Sequence, residues 1–264
     1  MHRYNIDSDY ARKTQSRMQK YILLTFQIVA HLACIPLIIY GHWWQWLLVI
    51  FVYFLNGCLG MTMTYHKLLT HNSWPAPRWF RYVGTMCATI GLTGSAIPWV
   101  AIHREHHRYT DTDRDPHSPH HKGWFGAHYL SMFSKVNVRY VPDLLKEPFM
   151  LFQHKHYFVI NLAYGAVLYM IDPMAVLYAW LVPAAILWNA GSSIVTFSHM
   201  YGYKNSETSK NESRNNVLLA FLVWGEGWHD NHHAHPADAN FGGRKWWEID
   251  ISYQMIKLLS VSPR

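Results

Sequence analysis

Between residues 21 and 66, and again between 156 and 203, the sequence contains no lysine or arginine, although 23 such residues occur elsewhere. The first window holds two apolar blocks, 21–40 and 43–64, joined by GHWWQW. The second holds blocks at 157–171 and 174–198, parted by Asp172 and Pro173. About twenty helical residues match the roughly 30 Å hydrocarbon core of a bilayer. The tryptophans at 43, 44 and 46 suit its interface. Gln27, His31 and Pro36 interrupt the first block, and the third block is short. Charged residues make up only 15% of the chain, against roughly a quarter in soluble proteins, which favours membrane insertion. Basic residues gather on the cytoplasmic side of a membrane. The turns at Gly41 and Asp172 are therefore expected to face away from the cytoplasm, with both termini facing it. The reading is an all-α integral membrane protein. It has four transmembrane helices in two hairpins under a cytosolic helical cap, and 1–264 is a single domain.

Residues 83–101, VGTMCATIGLTGSAIPWVA, are also long enough to cross. Arg78 and Arg81 precede them and Arg104 follows. Basic residues at both ends argue against a crossing, so this segment is expected in the interface or against the bundle. Cys34, Cys58 and Cys87 sit in apolar surroundings without metal-binding spacing and read as packed thiols.

Histidine is the other anomaly: 19 residues, bunched. HKLLTH carries His66 and His71, HREHH carries His103, His106 and His107, and HDNHH carries His229, His232 and His233. His199 stands alone at the end of the last apolar block. The second and third clusters place histidines at i, i+3 and i+4, on one helix face. Adjacent histidines diverge by about 100° on a helix and reach different ions. A pair of metals bridging several helices fits nine imidazoles better than one closed site. Imidazole ligation alone leaves zinc, copper, iron and nickel open. Asp111, Asp113, Asp115 and Glu226 can orient ligand rings through the second ring N–H. A crossing by 83–101 would put His71 and His103 on opposite membrane faces, a second argument against it. Of the remaining histidines, His31 reads as a hydrogen-bonded packing residue. His117, His120 and His121 read as surface residues of the cap.

These motifs resemble the histidine boxes of the integral-membrane fatty acid desaturases, in particular the stearoyl-CoA-type Δ9 group. HKLLTH is similar to the first box and HREHHRYTDTDRDPHSP to the second. SRNNVLLAFLVWGEGWHDNHHAHP is similar to the third box and its approach. The resemblance runs from about residue 40 to 240. It implies an O₂-dependent desaturase that introduces a cis double bond into a saturated fatty acyl chain, using two non-haem iron ions. It assigns iron ligation to His66, His71, His103, His106, His107, His199, His229, His232 and His233. It also implies an acyl substrate on coenzyme A, acyl-carrier protein or lipid, and an external electron donor of ferredoxin or cytochrome b5 type. No flavin, haem or iron–sulfur motif is visible in the chain, and its net charge of +7 suits an acidic donor or anionic lipid. Trp99, Trp188, Trp224 and Trp228 lie near the boxes and can line an acyl tunnel. The group usually has Asn, holding a water, where this chain has Val195. Asp230 and His235 also depart from the usual pattern. The competing readings are a related hydroxylase or ketolase and, more remotely, a metal-binding or metal-transporting membrane protein. No nucleic-acid partner is expected.

Overall fold

In a computed structural model, residues 17–206 and 211–260 are described; the termini assigned above to the cytoplasm lie partly outside these. The first apolar block forms helix α1 (Arg17–Leu32) and helix α2 (Cys34–Tyr40). The break at Ala33 follows from Pro36, which has no N–H to donate to the carbonyl of Leu32. Gln45 then accepts the backbone N–H of His42 at 2.8 Å and starts helix α3 (Trp43–Tyr53). From Phe54 to Thr70 the same helix continues with wider, π-type winding. It runs six residues beyond the predicted end at 64 and stops only before Asn72, whose φ is 50°. Nothing between 64 and 70 breaks a helix, so the first histidine box is carried into it.

Residues 83–101 do not run straight through. Helix α4 (Arg78–Ile90) and helix α5 (Ala96–Tyr109) are separated by a tight reversal in which Leu92 has φ 57° and Gly94 φ 103°. Helix α4 lies antiparallel on the second half of the long helix. A side chain at Gly60 would collide with the backbone of Ala88, and one at Gly84 with Thr64. The segment packs against the bundle, and both of its ends return to the level of the first box.

Helix α6 (Pro119–Tyr129) and helix α7 (Pro148–Ile171) follow, then helix α8 (Val182–Phe197), preceded by π-type winding at Leu177–Leu181. Short helices α9 (Val217–Leu222), α10 (His229–Ala234) and α11 (Ile251–Leu259) complete the described order. Among the described residues, strand pairing is confined to the isolated bridges of Asn215 with Tyr203 and Trp228. Three helical stretches among the described residues are long and apolar enough to cross a membrane: Arg17–Tyr40, Trp43–Thr70 and Leu177–Phe197. The predicted block 157–171 is the later part of α7. The front of that helix carries Gln153, His154, Lys155 and His156, which keeps it outside this set.

Polar groups lace these helices together. Gln153 donates to Tyr65 Oη (3.1 Å) and Thr89 Oγ1 (2.9 Å), and Gly94 N–H donates to Tyr157 Oη (3.0 Å). Each bond pins α7 to the α4–α5 hairpin or the long helix. His31 bonds the carbonyl of Gln27 (2.7 Å) and accepts from Asn189 (2.7 Å), the packing role expected of it. Beside the first box, Lys67 and Asp250 form an ion pair at 2.6 Å, both side chains fully buried. Lys67 also donates to the carbonyl of Ala239, and Asp250 accepts from Phe241 N, Ser252 Oγ and Tyr253 N. The pair fastens the chain that follows the third box to the long helix.

Candidate metal centre

Four chain segments bring the nine predicted histidines together in two groups. His66, His71, His103, His107 and His232 converge in one, with ligand atoms all within 4.8 Å of one another. His106, His199, His229 and His233 converge in the other within the same limit. Neighbours in sequence part as the helix rotation requires: His106 and His107 join different groups, as do His232 and His233. Partners four residues apart meet, with His103 and His107 ring nitrogens 3.2 Å apart and those of His229 and His233 3.1 Å apart.

His66 and His71 need a different explanation. Five residues of α-helix rotate about 140°, which would aim the two rings apart. The π-type winding pairs residues five apart instead, with His71 N–H donating to the carbonyl of His66. The rings then lie on one side, their centroids 5.0 Å apart.

Carboxylates fix three of the rings. His66 Nδ1–H donates to Glu226 (2.6 Å), His106 Nδ1–H to Asp115 (2.9 Å) and His199 Nδ1–H to Asp111 (2.9 Å). Asp111 sits at φ 58° in the turn after α5, which carries its carboxylate to the end of α8. Burial pushes the Asp111 and Asp115 carboxyls up, but the His199 and His106 rings outweigh it and hold both below the usual range. Asp113 is exposed and bonds none of the nine rings, so it leaves the set of orienting carboxylates. Asp230 instead accepts the backbone N–H groups of Asn205 and Ser206.

The donor set fits metal cations. With Nδ1–H held by carboxylate, the rings of His66, His106 and His199 present Nε2 lone pairs. These face the Nε2 atoms of His232, His233 and His229 at 3.0, 3.3 and 3.0 Å. His71 Nε2 is buried with no partner. Lone pairs packed this closely away from water are stable around positive charge. Burial first, then mutual repulsion, holds His103, His107, His229, His232 and His233 far below the ordinary histidine value, as neutral ligands must be. His71 is depressed to about 2 by the same causes.

An apolar cavity shares its wall with this centre. His66, His103, His106 and His229 line it together with Met61, Trp99, Ile102, Leu187, Trp188 and Val195. Of the four tryptophans near the boxes, Trp99 and Trp188 line this cavity. Trp224 packs on Tyr53 and Phe54 outside the lining, and Trp228 is fully buried core with its indole N–H on the carbonyl of Ile249. The surface assignment holds for His120 and His121, which are exposed, and fails for His117. His117 is buried, its ring centroid 4.3 Å from that of His106, and it lines the cavity. Its place in DPH, two residues after the carboxylate that holds His106, was the available signal. Asp115 accepts the His117 backbone N–H and so turns the chain inward.

An all-helical chain with apolar spans, two buried imidazole groups and an adjoining apolar cavity is the architecture of a metal-dependent enzyme acting on an apolar substrate. The fatty acid desaturase profile matches residues 41–257. The chain belongs to the fatty acid desaturase family. It is 32% identical to an sn-2 palmitoyl-lipid 9-desaturase of Nostoc sp. (strain 36), over 80% of this chain and 77% of that protein. It is 30% identical to an sn-1 stearoyl-lipid 9-desaturase of Synechocystis sp., over 91% and 76%. It is 35% identical to Delta-9 acyl-lipid desaturase 2 of Arabidopsis thaliana, over 83% and 73%.

Proposed function

We propose that this enzyme introduces a Δ9-like cis double bond into the saturated acyl chain of a membrane lipid, using two iron ions held by the nine histidines. The observation that carries this reading is the apolar cavity whose wall includes imidazoles of both groups. The relatives named as acyl-lipid desaturases favour a lipid as carrier. The reaction balances as –CH₂–CH₂– plus O₂, two electrons and two protons giving –CH=CH– and two waters. Bound iron supplies the oxidising power that an unactivated methylene pair demands. The protein's own groups do the rest. Glu226, Asp111 and Asp115 hold rings in one tautomer, while Trp99, Leu187 and Trp188 hold the chain and keep water from it. The two electrons come from an external acidic carrier, for which the net charge of +7 gives attraction.

We also place α7 in the membrane as a fourth span. Val159, Leu162, Val167, Met170 and Ile171 are exposed along it, an apolar surface unsuited to water. The lysine-free and arginine-free windows support a cytoplasmic position for the histidine boxes and both termini.

The test is expression in a host that makes only saturated lipids, followed by mass spectrometry of lipid acyl chains and iron analysis of the purified protein. The expected result is a product two hydrogens lighter, formed only with O₂ and reductant, and about two irons per chain. A product heavier by one oxygen would instead mark a hydroxylase. Iron-loaded, reduced protein that leaves acyl chains untouched would overturn the proposal.

A further inference from the structure

The two imidazole groups are unequal. One has five members and the other four, and the walls of the cavity differ beside them. On the four-member side, Val195 turns methyl groups to the cavity from α8, one helical turn before His199. It offers no hydrogen bond to a polar molecule there. His117 lines the same cavity and does. Its residue surface is only 5% exposed, and its Nε2 atom is buried without a partner. A buried imidazole nitrogen left unbonded costs about 1–3 kcal/mol, so something polar belongs against it. His117 groups with His106 and Asp115, one ligand atom of each lying within 4.8 Å of the others, and it does not join the group of His199, His229 and His233. It stands beside His106, a member of the four-imidazole group, with ring centroids 4.3 Å apart.

We propose that His117 is a positioning residue whose Nε2 holds a small polar ligand in the cavity against the four-imidazole group. The chemical class is a water, or a compact oxygen or nitrogen ligand of similar size. The ring is fixed for this task from behind: its backbone N–H is held by Asp115 at 3.0 Å, and the same carboxylate orients His106. One short acidic turn thus sets both a member of the group and the group that faces it. The inference rests on the two-iron reading of the site.

The test uses azide as the probe, titrated into the iron-loaded, full-length protein and followed by absorbance, with iron counted in every sample. His117→Phe keeps the ring volume and removes the nitrogen; His117→Gln restores a polar atom. The expected result is two irons per chain in all three proteins. Azide binding should be weakened about tenfold or more in H117F, the scale of one hydrogen bond to a charged group, and largely recovered in H117Q. H117F that binds azide like the parent, with both irons retained, would overturn the assignment while leaving the two-iron reading intact. H117F that drops to one iron would also overturn it, by making the ring a ligand. Parent protein that holds no iron would sink the two-iron reading itself, and this inference with it.

Discussion

The backbone N–H of His71 donates to the carbonyl of His66, five residues earlier, at 3.3 Å. That bond makes the spacing of the first box intelligible: the two rings share one side of the helix only because the winding is wider than α there. It also places them in the larger imidazole group, which has a member to spare. His71→Ala leaves four imidazoles in that group, whereas His229→Ala leaves three in the other. Iron per chain in purified H229A should therefore fall further than in H71A. Equal losses in the two variants would contradict the division into five and four.

Glu226, Asp115 and Asp111 each hold one ring, and Asp113 holds none. Glu226→Gln, Asp115→Asn and Asp111→Asn should each weaken iron binding by about 10- to 100-fold, the usual effect of removing an orienting carboxylate. Asp113→Asn should match the parent in chelator competition. A loss in D113N as large as in D115N would show that net charge, not ring orientation, governs affinity.

Acid should release the centre. Rings with an ordinary value of about 6.5 in the unfolded chain are held well below it in the folded one, by burial and by each other. Below about pH 6.5 the unfolded chain takes up protons that the folded rings refuse, so stability falls as pH falls toward the folded values. Each such ring contributes a loss of about 1.4 kcal/mol per pH unit in that window. The metal-free protein should show no such slope above pH 7 and a steep decline in thermal midpoint below 6. A midpoint flat from pH 7 to 5 would rule this out.

How much of this was legible beforehand divides along physical lines. Periodicity and charge are local, and they gave the long apolar helices, the nine histidines and the split between adjacent rings. The hairpin in 83–101 was visible only as a refusal to cross. Its turn depends on Leu92 and Gly94 at positive φ, and its packing on Gly60 and Gly84, which no local pattern announces. His117 reads as a surface residue of the cap, in the same polar stretch as His120 and His121. Its burial comes from the Asp115 turn, a tertiary effect. A lysine at a helix end is ordinarily solvated, and the burial of Lys67 depends on a partner that lies 183 residues on.

That partner makes a sharp stability prediction. Lys67→Met leaves the Asp250 carboxylate buried without its cation, at a cost of about 3–5 kcal/mol. The detergent-solubilised variant should melt well below the parent, and Lys67→Met combined with Asp250→Asn should recover part of the loss. A double variant no more stable than the single would argue against direct pairing.

Cavity length should be adjustable at Gly191. This residue lines the cavity from α8, and a Cβ built on it meets nothing within 4 Å. Gly191→Leu should shift the products toward shorter acyl chains with iron content unchanged. An unaltered chain-length profile would mean that the substrate lies elsewhere.

The order of the histidines along the chain has a consequence for biogenesis. Four of the five members of the larger group precede residue 108, whereas three of the four in the smaller group come at 199 or later. A nascent polypeptide can thus gather most of one set early, yet both sets close only with the segment 229–233. No half-made chain can therefore carry either imidazole group complete.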